Sequence, residues 1–99
     1  MMPMKADYDS EADALSIILR RFKTFDCQES VDEDNCHVGI VDDKAVEVEL
    51  LYPRRHLDLL EAAAERFDLD GQALIAIAKA ALAAPDRLVT MDLSAPLAA

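Results

Sequence analysis

Ninety-nine residues carry twenty Asp and Glu against ten Lys and Arg, a formal net charge of −10 with a pI near 4.4. That field opposes phosphate backbones and anionic bilayers, so neither nucleic acid nor membrane is an expected partner. A 53% hydrophobic content with only two glycines excludes a disordered chain, and the length fits one domain over residues 1–99.

Met1-Met2-Pro3-Met4-Lys5 runs into acidic residues instead of an apolar leader. The longest apolar stretch, Ala73 to Ala84, contains Lys79 and is too short to span a bilayer. A cytoplasmic protein is the expectation, with Cys27 and Cys36 as free thiols. Zinc would require two further ligands, and Cys36 and His37, neighbours on a strand, point to opposite faces. No metal and no cofactor are expected.

In chain order, the first expected strand is Lys5–Tyr8, ended by the turn chemistry of Asp9-Ser10-Glu11. Ala14–Leu19 reads as a compact apolar strand with Leu15, Ile17 and Leu19 on one face. A short strand follows at Phe25–Gln28, then a polar loop from Glu29 to Asn35. Cys36–Val41 and Ala45–Leu50 flank the turn Asp42-Asp43-Lys44 as a hairpin. Val46, Val48 and Leu50 alternate with Glu47 and Glu49, and a one-residue slip would bury both glutamates, so this register is well specified.

Pro53 ends the β-rich part, residues 4–52, and a helical hairpin is expected over residues 55–84. From His56 to Phe67, Leu57, Leu60, Ala64 and Phe67 recur at helical spacing, with Asp58, Glu61 and Glu65 on the wet side. Asp70 is a suitable N-cap for a second helix from Gly71 to about Ala84, stopped by Pro85-Asp86. Arg87–Leu93 reads as a final strand with Leu88 and Thr90 on one side, and Ser94–Ala99 as a frayed tail. The pattern predicts an α+β fold: a small antiparallel sheet of four to six strands, two helices on one face, and a short C-terminal strand.

Tyr8-Asp9-Ser10-Glu11-Ala12-Asp13-Ala14-Leu15-Ser16-Ile17, an acidic loop, and Ala45-Val46-Glu47-Val48-Glu49-Leu50-Leu51 together resemble the small prokaryotic domain-of-unknown-function family 2283. The likeness covers about residues 4–52. It departs at Ser16, where an aromatic residue is usual, and between Lys44 and Leu50, where the family's glycines are missing. It implies a curled antiparallel sheet and no assigned activity. An antitoxin-like regulator that neutralises a basic partner protein is the role it implies by analogy.

Val46 through Ala84, a strand followed by two helices, is similar to the ribbon-helix-helix pattern. In that pattern outward strand side chains read bases. Here they are Glu47 and Glu49, which repel phosphates, so dimerisation is the only part of the likeness that the chemistry supports.

Asp9, Glu11 and Asp13 form the one carboxylate cluster from which a small metal-dependent enzyme could be built, although turn capping explains the same residues. Asp32-Glu33-Asp34-Asn35 lacks the glycine and terminal glutamate of a calcium loop. Neither Cys27 nor Cys36 has a histidine placed by spacing, and Gly39 and Gly71 make no phosphate cradle. The basic residues cluster at Arg20-Arg21-Lys23 and Arg54-Arg55-His56. No catalytic residue is therefore expected.

The second helix has an unusual surface. Leu74, Ile75, Ile77, Ala78, Ala81 and Leu82 make a wide apolar arc, while the far side offers only Gln72, Lys79 and alanines. Such a helix is either the centre of the core or is shared with a second subunit. The sequence points to a non-enzymatic interaction protein acting as a homodimer, with Leu74, Ile75, Ile77, Ala80 and Leu82 as interface candidates.

Overall fold

The structure is a computed structural model that describes residues 3–92. Its elements are β1 (Met4–Asp9), β2 (Ala14–Ile18), β3 (Cys27–Asp32), β4 (Cys36–Val41), β5 (Lys44–Leu51), α1 (Leu57–Phe67), α2 (Gly71–Ala83) and β6 (Leu88–Met91). The strands form one open antiparallel sheet in the order β3-β4-β5-β2-β1-β6, with both helices packed against it. This is the expected α+β architecture, C-terminal strand included.

Period-two alternation builds the core. Ala6, Ile17, Val48 and Val38 make one row across β1, β2, β5 and β4, and Tyr8, Leu15, Leu50 and Cys36 make the next. All eight are 5% exposed or less. Leu60, Ala63 and Ala64 of α1 and Ala73, Leu74, Ile77, Ala78 and Ala81 of α2 close over them. As expected, Glu47 and Glu49 stay on the other face, half-buried. A bulge shifts the register between Gly39↔Glu47 and Ile40↔Ala45, and the extra residue, Val46, is buried with Ala45.

Aspartate does the turn work that glycine usually does. Asp13, Asp42, Asp43, Asp68 and Asp86 all have positive φ, as does Tyr52, whereas neither glycine does. Asp tolerates the left-handed region better than most residues, because its short side chain bonds locally. Asp42 and Asp43, at φ 51° and 63°, form the two-residue turn between β4 and β5 with the twist that antiparallel strands need. Asp68, at φ 55°, ends α1, and Asp70 caps α2 by accepting from Ala73 N–H at 3.1 Å.

Three expectations need correction. Residues 29–32 are strand, not loop, because β3 runs from Cys27 to Asp32 and pairs with β4. Its first four residues are exposed, so no alternation marked it. The last strand begins at Leu88, after Asp86 takes a left-handed turn, and ends at Met91. The expected residue Leu93 and the tail 94–99 lie outside the described residues. Finally, the ribbon-helix-helix likeness fails on topology: β5 is bonded to β4 on one side and β2 on the other, leaving no free edge for a second chain.

Candidate interaction surfaces

The turn between β1 and β2 places the carboxylates. Asp9 Oδ1 accepts from the N–H groups of Glu11 at 3.0 Å and Ala12 at 3.1 Å, folding the turn back on itself. Asp13 Oδ1 accepts the Tyr8 hydroxyl at 2.6 Å, and Glu11 is exposed. That hydrogen bond, aided by burial, raises the Tyr8 phenol above its ordinary value. Arg54 completes the group: its guanidinium lies 5.4 Å from the Tyr8 ring centre and donates to the Leu82 carbonyl at 3.3 Å. Asp9 and Asp13 thus have partners in the fold, and among the described residues no three His, Cys, Asp or Glu side chains converge as a metal site.

The acidic loop between β3 and β4 is organised in the same way. Asp32 Oδ1 accepts from Asp34 N–H and Asn35 N–H, each at 3.0 Å. His37 Nε2 lies 2.9 Å from the Glu33 carbonyl, and its Nδ1 lies 3.8 Å from Glu49. Cys36 is fully buried, and burial, reinforced by Asp32 and Glu49, pushes its thiol up to about 11. Cys27 is exposed at the other end of the same hairpin, opposite Ile40, so the two sulfurs do not meet.

The residues proposed for contact on α2 divide in two. Leu74 and Ile77 are 1% and 0% exposed, because α2 lies over β1, β2 and β6 and also packs on α1. They belong to the core of a single chain and cannot reach a second one. Ile75 and Leu82 are half-buried and Ala80 is exposed. α2 also packs on β6, an edge strand whose Leu88 is 61% exposed. Lys79 is the only charged residue within α2, and β6 has none.

The two sheet edges differ. β3 carries Glu29 and Asp32 and a register irregularity between Ser30 and Asp32. Arg66 clamps it from α1, donating to the Ser30 carbonyl at 2.9 Å and to Glu29 at 2.7 Å. Charge, irregularity and a cover are the devices that stop an edge from pairing with another chain. None of the three is seen on β6 among the described residues.

A second surface is built on the basic cluster Arg20-Arg21-Lys23. The register Lys5↔Ile18 brings the start of β1 against the end of β2, and the chain then continues through Arg20 to Lys23. Lys5, Ile18, Arg20, Arg21, Phe22 and Lys23 line a groove of about 600 Å³ there. Phe22 stacks on Phe25 with ring centres 4.8 Å apart, and Phe25 in turn lies against Gly39 on the sheet face away from the helices. Among the described residues none of the four cations is within ion-pair distance of a carboxylate. The available signal was a strand end running into two arginines, an aromatic and a lysine.

No family model, no curated protein and no solved structure matches the chain.

Proposed function

We propose that the chain is a non-enzymatic interaction protein that works as a homodimer, joined along β6 and the adjoining outer side of α2. One observation carries this reading: in a molecule of net charge −10, the sheet edge that no described residue guards is the uncharged strand Leu88–Met91. Two copies meeting at α1 would oppose Asp58, Glu61 and Glu65 to their counterparts, and two meeting at β3 would oppose Glu29 and Asp32. At β6 they gain main-chain hydrogen bonds and cover Leu88, which with Thr90 faces away from the helices. The non-enzymatic part is supported by the partners that Asp9, Asp13 and His37 already have within the fold and by the full burial of the Cys36 thiol.

Sedimentation equilibrium at micromolar concentration tests it. The wild-type chain is expected at twice 10.9 kDa, and Leu88→Glu at 10.9 kDa with its melting temperature measured alongside. Leu88 is exposed in the single chain, so this substitution leaves the core untouched, whereas Ile77→Asp would unfold it. A wild-type monomer across the concentration range, or a Leu88→Glu dimer, overturns the reading.

A further inference from the structure

Like charges brought together without counter-charges repel, and the repulsion is relieved when an anion settles among them. The groove at the end of β1 and β2 gathers Lys5, Arg20, Arg21 and Lys23, four of the chain's ten basic residues, around the apolar side chains of Ile18 and Phe22. Asp7, Glu47 and Asp92 are the nearest acids by register: Asp7 next but one to Lys5 on β1, Glu47 opposite Ile18 on β5, and Asp92 directly after Met91, the partner of Met4. Among the described residues no carboxylate is within ion-pair distance of the four cations.

We propose that this groove binds a small organic anion: a flat apolar ring system bearing a phosphate group. The ring lies against Ile18 and Phe22, and the phosphate is held by Arg20, Arg21 and Lys23, with Lys5 closing the other wall. Guanidinium groups match phosphate oxygens two at a time, and the added lysine charges suit a dianion better than a single carboxylate. The volume, about 600 Å³, is that of a small-molecule site, whose usual range is about 300–1,000 Å³. A long polyanion fits poorly. Beyond the groove only six other basic residues stand against twenty acidic ones, so an extended strand would run onto repelling surface.

The test is a titration of the isotopically labelled full chain with 1-naphthyl phosphate, inorganic phosphate and 1-naphthol, followed by amide chemical shifts. The naphthyl ester is expected to shift the amides of Lys5, Ile18 and residues 20–23, with at least about tenfold higher affinity than either half alone. Arg21→Ala combined with Lys23→Ala is expected to weaken it by about tenfold or more without moving the melting temperature, since both side chains are exposed. Absence of shifts at those amides at millimolar ester overturns the proposal. So does equal affinity for inorganic phosphate, which would mean a mere charge patch. Tighter binding of a mixed-sequence single-stranded oligonucleotide than of the ester would also overturn it.

Discussion

Asp86 holds Ser10 with both carboxylate oxygens: Oδ1 accepts from the Ser10 N–H at 2.9 Å and Oδ2 from its hydroxyl at 2.6 Å. The Asp86 N–H donates in turn to the Tyr8 carbonyl at 2.8 Å. The turn leading into β6 is thereby fastened to the turn leaving β1. This fastening depends on charge. The Ser10 hydroxyl, and then its N–H, hold the Asp86 carboxyl below its ordinary value of 3.8. A folded value below the unfolded one gives stability at neutral pH that fades as pH falls through 3.8 toward the folded value. Asp86→Asn keeps a residue that accepts the left-handed backbone and one oxygen for Ser10, but removes the charge. It should melt below wild type at neutral pH, and the gap should close as the pH drops below about 4. Circular dichroism melts across that range check this, and parallel curves would count against it.

Gly39 is required by close approach and not by backbone conformation. A Cβ there would fall onto Cδ1, Cε1 and Cζ of the Phe25 ring, which cannot retreat freely because it stacks on Phe22. Gly39→Ala should therefore cost about 1–3 kcal/mol, the usual range for overpacking. Phe25→Ala removes the obstacle, so adding Gly39→Ala to it should cost much less than adding it to wild type. Urea unfolding of the four members of this cycle measures the coupling, and additive effects would show that the ring yields easily.

What the sequence disclosed follows the strength of its periodicity. Val46 through Leu50 alternate against two glutamates, and Asp70 stands where a cap belongs, so β5 and the start of α2 could be read directly. Of β3 only the start, within the expected strand Phe25–Gln28, could be read, because an exposed edge strand selects for solubility and carries no two-residue period. On α2, alanines and isoleucines surround the helix. Only the sheet beneath it decides that Leu74 and Ile77 face inward while Ala80 faces out. The groove was half legible: Arg20, Arg21 and Lys23 are adjacent in the chain, but Lys5 joins them only through the pairing of β1 with β2.

The hairpin turn is a place where the chain departs from the best local choice. Asp42 and Asp43 both adopt positive φ, which the asparagine-glycine pair accommodates at lower cost. Replacing them together, Asp42→Asn with Asp43→Gly, should stabilise the protein by about 1 kcal/mol, since the strained second position gains most from losing its Cβ. The bond from Asp42 N–H to Asp26 Oδ2, at 2.8 Å, uses the backbone and survives the change. A lower unfolding midpoint in the variant would show that the aspartates do more there than set the turn.

The two thiols should behave as opposites. Cys36 lies in the core row with Leu50, fully buried, and its thiol value of about 11 leaves almost no thiolate at neutral pH. Cys27 is exposed on β3. A maleimide added to the native protein should label one cysteine quickly, and peptide mapping should place the label on Cys27. Cys36 should react only after guanidinium unfolds the sheet. Because Cys36 acts as a small apolar core residue, Cys36→Ser puts a hydroxyl among Val38, Val48 and Leu50 and should cost about 1–3 kcal/mol. Cys36→Ala leaves a smaller defect and should fall below that. Equal labelling rates for both cysteines in the folded protein would mean that the edge of the sheet opens far more readily than its buried rows imply.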